Sequence, residues 1–124
     1  MDRKKILLID DEEDFTDLLK LGLERTGRYE VRAENDPRSG IEAAREFSPN
    51  LILLDIIMPD MDGTEVARMI KEDEELKNIP VVFLTATLTR EETDLEGGMI
   101  GGRPFIAKPV GITDLIRAIE KHIR

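Results

Sequence analysis

Cysteine is absent from the 124 residues, which excludes a disulfide framework and a zinc–thiolate centre. The absence fits a reducing compartment. A single histidine, His122, is available as an imidazole. It stands near the end of the last helical pattern, far along the chain from the acidic clusters, and reads as a surface residue. Long apolar runs are also missing. The opening MDRKKILLIDDEED sets basic residues before apolar ones, but the run extends only from Ile6 to Ile9 before acids follow. That is far too short for a signal peptide or a membrane span. Positive charge is scarce as well: 18 Lys and Arg stand against 27 Asp and Glu, a formal net charge of −9. This balance argues against nucleic acid or an anionic membrane as a direct partner and suits cation binding. Together these features place the chain in the cytoplasm.

What is present is enough for one compact domain. Apolar residues make up 40% and charged residues 36%, sufficient for a core and a solvated surface, and too rich in Ile, Leu and Val for disorder. Five apolar runs stand out: KILLID (5–10), YEVRAE (29–34), LILLD (51–55), PVVFLTA (80–86) and PFIA (104–107). Four are nearly continuous, the pattern of parallel strands covered on both faces. The second alternates partly and reads as an edge strand. Helical patterns separate the runs. Phe15, Leu18, Leu19 and Leu23 repeat within 12–26, and Gly27 is a stop signal. Asp36-Pro37 opens a second helix, and Ser48-Pro49 closes it. Thr64 opens a third, with Val66, Met69 and Ile70. Thr89 and Glu92 form a capping-box pattern for a fourth. Ile112, Leu115, Ile116, Ile119 and Ile123 make the stripe of a final helix. Five β-α units imply a parallel sheet with helices on both faces and right-handed crossovers. The fourth helix is the weak one. EETDLEGGMIGG carries four glycines between 97 and 102, each costing roughly 1 kcal/mol against Ala inside a helix, so a short or mobile helix is expected. No linker, repeat or second domain is expected.

In open α/β sheets ligands bind beyond the carboxyl ends of the strands. The first strand ends in Asp10-Asp11, the third in Asp55, the fourth in Thr85, and Lys108-Pro109 follows the fifth. If the first and third strands are neighbours, three carboxylates converge. They repel one another unless a cation sits among them, and oxygen-only ligands favour a hard one, Mg²⁺ being the commonest. Lys108 adds a fixed positive charge and Thr85 a hydroxyl. A carboxylate nucleophile, a metal, a lysine and a hydroxyl suit capture of a phosphoryl group as an acyl phosphate. Each residue alone also has a bland reading. Asp10-Asp11 reads as a helix cap, Asp55 as a turn residue, Thr85 as strand composition and Lys108 as a solvated lysine. Asp60, Asp62 and Gly63 read simply as turn residues. The signal lies in the set, at the ends of successive strands.

ILLIDDEED, LILLDIIMPDMDG, VVFLTA and FIAKP, in that order, resemble the receiver domain of two-component response regulators, over essentially all of residues 1–124 as a single domain. The resemblance implies a five-stranded parallel sheet in the order 2-1-3-4-5, a flavodoxin-like three-layer (βα)5 sandwich. It implies that Asp55 is the phosphoacceptor and that Asp10, Asp11, Asp55 and the backbone carbonyl of Ile57 hold Mg²⁺. Lys108 would pair with the phosphoryl group, before a cis bond to Pro109. Thr85 would be the switch hydroxyl, Ala86 the small residue that leaves room, and Phe105 the aromatic switch. The implied donor is a histidine kinase or a phosphotransfer protein. The implied outcome is a changed face around the fourth helix, the fifth strand and the final helix, which controls binding of a protein target. The domain is then a signalling switch, not a free-standing enzyme, catalysing only its own phosphorylation and slow dephosphorylation. Dimer formation on phosphorylation is a further implication.

Two features depart from that family pattern. Gly101-Gly102-Arg103-Pro104 replaces the usual residues before the aromatic, and Pro104 fits only an edge strand. Ile57 has an apolar side chain that cannot position an attacking water, so a phosphoryl group lasting minutes or more is expected. Two other readings fit these residues less well. A haloacid-dehalogenase-like phosphatase needs a second Asp two residues after the nucleophile, where Ile57 stands. A degenerate receiver that only binds proteins would not need the full set of Asp10, Asp11, Asp55, Thr85 and Lys108.

Overall fold

The structure is a computed structural model that describes residues 2–59, 61–85, 99–100, 103–108 and 111–123. Its strands are β1 (Lys4–Ile9), β2 (Tyr29–Glu34), β3 (Leu51–Asp55), β4 (Val81–Thr85), β5 (Met99–Ile100) and β6 (Arg103–Ala107). Its helices are α1 (Glu13–Glu24), α2 (Gly40–Phe47), α3 (Gly63–Glu72) and α4 (Ile112–His122), with a 3-10 turn at Pro37–Ser39 before α2. The expected helix from Thr89, together with Ala86 and Pro109, lies outside the described residues.

The sheet runs β2-β1-β3-β4-β6-β5. Its first five strands are parallel and match the expected order, with the alternating β2 at one edge. Successive side chains of a strand point to opposite faces, which explains the continuous apolar runs. Leu7, Ile9, Ile52 and Leu54 face α2 and α3, where Ala43, Ala44, Val66 and Ile70 are buried. Ile6, Leu8, Leu51 and Leu53 face the other way, onto Leu19 and Leu23 of α1 and Leu115 and Ile119 of α4. The helices thus form one layer on each side. No helix among the described residues is long and apolar enough to cross a membrane.

Three local readings change. Met99 and Ile100, expected within the glycine-rich helix, form β5, antiparallel to β6 with Met99 opposite Pro104 and Ile100 opposite Arg103. Glycine disfavours helix, and the two glycines between these strands make a link of hairpin length. The two-residue β5, not the strand with Pro104, is therefore outermost on that side. Leu18 is not core but 69% exposed, since it points away from the Leu19 and Leu23 stripe. His122 is half-buried rather than on the open surface.

The two helices of one layer meet closely at Gly22. A Cβ there would lie 2.6 Å from Cγ1 of Ile112. The Ile112 side chain at the start of α4 is thus seated in the notch left by Gly22.

Candidate functional site

The carboxyl ends of β1 and β3 set the site. Asp10 follows the last residue of β1, and its N–H still donates to Glu34 of β2 (3.1 Å). Its carboxylate is 1% exposed. One oxygen accepts from the Glu12 N–H (2.9 Å) and the other from Lys108 Nζ (2.6 Å). Asn35 donates to the Asp10 carbonyl (2.9 Å) and to Thr16 Oγ1 (3.0 Å), tying the β1 end to β2 and α1. Asp10 does not cap α1. Glu12 occupies the N-cap position, without a side-chain cap bond.

Asp55 is the last residue of β3, buried beside β4 in register with Leu84. Oxygens of Asp10, Asp11 and Asp55 lie within 4.8 Å of one another. Lys108 Nζ stands 3.7 Å from Asp55 and 3.1 Å from Glu12, with 8% of its side chain exposed. It also lies over the Phe15 ring, 4.3 Å from the centroid. The predicted Asp10, Asp11, Asp55 and Lys108 are therefore brought together.

The electrostatics follow from burial and from an excess of acids. Burial pushes the Asp55 pKa up from 3.8 to about 7, and the Asp10 charge adds to it; Lys108 and the Ile57 N–H oppose. Asp10 is also raised, chiefly by burial, against its hydrogen bonds from Lys108 and Glu12. Burial alone would lower Lys108, but its hydrogen bonds to Asp10 and Glu12 outweigh that and raise it. One cation thus faces more carboxylate charge than it can offset, and protons are drawn in. An all-oxygen, electron-rich group short of positive charge fits a hard divalent cation.

Of the remaining predicted residues, Thr85 and Ile57 border the cluster and Phe105 does not. Thr85 ends β4 in register with Ala107 of β6, which sets its backbone at the same sheet edge. Phe105 is not in the cluster. It pairs with Phe83 in register and is buried in the core with it. Ile57 is 56% exposed, and its N–H bonds the Asp55 carboxylate.

Sequence reasoning missed Gly63. It is the first residue of α3, behind the Asp62 cap whose carboxylate accepts from Thr64 N–H (2.9 Å). A Cβ on Gly63 would lie 2.0 Å from the Asp55 carbonyl oxygen. Gly63 is therefore what lets α3 approach the backbone of Asp55, and Asp62-Gly63 shows only a turn signal in sequence. Phe15 and Asn35 were likewise unmarked, since nothing local ties them to Lys108 or Asp10, and so was Glu12, whose contact with Lys108 spans 96 positions.

A family model described as the response regulator receiver domain matches residues 6–120. The chain is 35% identical over 125 residues to the polar-differentiation response regulator DivK of Brucella ovis, covering 97% of this chain and 96% of that protein. Among solved structures it is similar to the chemotaxis protein CheY4 of Vibrio cholerae, with a TM-score of 0.82 and 25% identity over 97% of this chain and 98% of that one. It is also similar to the N-terminal domain of a response regulator receiver protein from Methanoculleus marisnigri, with a TM-score of 0.71 and 38% identity over 94% of each chain.

Proposed function

The chain belongs to the response regulator receiver domain family of two-component signalling, and on that premise we propose that it is a switch phosphorylated on Asp55. The observation that carries the reading is the convergence of buried Asp55 with Asp10, Asp11 and Lys108 at one end of the sheet. In the transfer, an Asp55 carboxylate oxygen attacks the phosphorus of a phosphohistidine. The P–N bond breaks as the P–O bond forms, and the imidazole leaves with its electron pair and takes up a proton. Asp10, Asp11, Asp55 and the Ile57 carbonyl would hold Mg²⁺, which would supply positive charge to offset that of the acceptor and the phosphoryl group. Lys108 then pairs with the new anion, which carries about −1.5 to −2 charge.

The phosphoryl donor is a histidine kinase or a phosphotransfer protein. Thr85 moves toward the new oxygens, Ala86 leaves them room, and the buried seat of Phe105 is one of the two positions between which that ring exchanges. The readout is a protein target that binds the face around β6 and α4 and the expected fourth helix, which lies outside the described residues, with a dimer on phosphorylation as a second form. Residues 1–124 act as one domain in the cytoplasm, without direct contact to nucleic acid or membrane, by binding a partner rather than by passing phosphate onward.

Intact mass after incubation with a small phosphoryl donor, with and without Mg²⁺ and beside Asp55→Asn, tests this. One added phosphoryl group that needs both Mg²⁺ and Asp55 is expected. No addition to a folded protein that still binds Mg²⁺ leaves an interaction module. Beside the acceptor, Ile57 offers no polar group to a hydrolytic water, so the label is expected to persist for minutes or more after donor removal; decay within seconds would contradict that.

A further inference from the structure

Lys108 has three N–H donors and a closely walled setting. Asp10 and Glu12 lie within hydrogen-bond distance, at 2.6 and 3.1 Å. Asp55, at 3.7 Å, lies beyond it. The Phe15 ring floors the ammonium at 4.3 Å, an arrangement that favours a cation. Both hydrogen bonds therefore draw Lys108 toward the β1–α1 junction and away from Asp55. The two acceptors differ. Asp10 belongs to the acid group that fits a cation, whereas Glu12 does not. Glu12 is anchored through its N–H on Asp10 (2.9 Å), and its carboxylate is 61% exposed. Ion pairs so exposed are weak, as suits a contact that has to be given up.

We propose that Glu12 is a positioning residue that holds the Lys108 ammonium in a resting seat over Phe15, and that Lys108 leaves this seat to pair with a phosphoryl group on Asp55. Glu12 thereby restrains the modified state. The inference rests on the phosphoacceptor reading of Asp55.

The test uses the full chain, titrated with beryllofluoride in Mg²⁺ as a phosphoryl analogue and followed by NMR. Glu12→Gln is expected to tighten binding about two- to fivefold, the range of an exposed ion pair. Glu13→Gln, which removes the same charge one residue away, is expected to change it less. In the metal-free protein, Glu12→Gln is expected to move the Lys108 ε-methylene signal, and Glu13→Gln to leave it in place. Equal effects of the two substitutions, or an unmoved Lys108 signal, overturn the proposal. Absence of beryllofluoride binding by the unsubstituted chain instead overturns the reading of Asp55 on which it rests.

Discussion

Acids and bases meet in two very different settings in this molecule. On the outer surface several arginines are matched by acids in water. Arg68 bonds Glu65 and Glu72 along α3, Arg45 reaches Asp73, and Arg28 reaches Glu120. Each pairing lowers the acid or raises the base where a shift is resolved. At the sheet edge the same chemistry is buried and out of balance. One lysine serves Asp10, Asp55 and Glu12, and there the two buried acids, Asp10 and Asp55, shift upward instead. The same groups relax in one place and are kept unsatisfied in the other. The difference is burial and stoichiometry, not residue type. The unsatisfied setting is the one that gains from a cation.

Gly63→Ala should break the site most severely. The added methyl meets the Asp55 carbonyl, so about 1–3 kcal/mol of stability is lost, along with phosphorylation. Urea denaturation and intact mass check the two losses. Asp55→Asn should do the opposite to stability. The folded pKa of Asp55 is raised from 3.8 to about 7, so its contribution is full below about pH 4 and is lost as pH rises through 7. An Asn cannot ionise. The metal-free variant is expected to gain up to about 4 kcal/mol over its parent at pH 8 and little at pH 4; equal gains at both pH values would break the comparison. Mg²⁺ should relieve the same stress. At pH 7.5 an amount about fivefold above its Kd should stabilise the parent by about 1 kcal/mol, and Asp11→Ala should remove that effect, as read by thermal melts. The smallest effect belongs to the surface. Arg68→Ala should leave the urea midpoint within error at moderate salt, and a clear loss would show that exposed pairs on α3 matter more than their setting implies.

Much of this was legible in sequence because it depends on local patterns. Continuous apolar runs gave buried parallel strands, and the residues that end them, Asp10, Asp55, Thr85 and Lys108, lie at strand ends in the structure. Met99 and Ile100 were misread because four nearby glycines weaken every local pattern, leaving pairing with Arg103 and Pro104 to decide the conformation. Gly63 read as a turn because its role is a close approach to Asp55, a contact that no spacing encodes. Glu12 and Phe15 stayed hidden for the same reason. They matter through Lys108, more than 90 positions away in the chain.

The notch at Gly22 has a mechanical consequence. α1 grips the chain at two points, through Phe15 beneath Lys108 and through Gly22 around Ile112. Only three residues separate those points. The seat of Lys108 and the root of the final helix thus rest on the same helix, so a substitution that shifts α1 disturbs both at once.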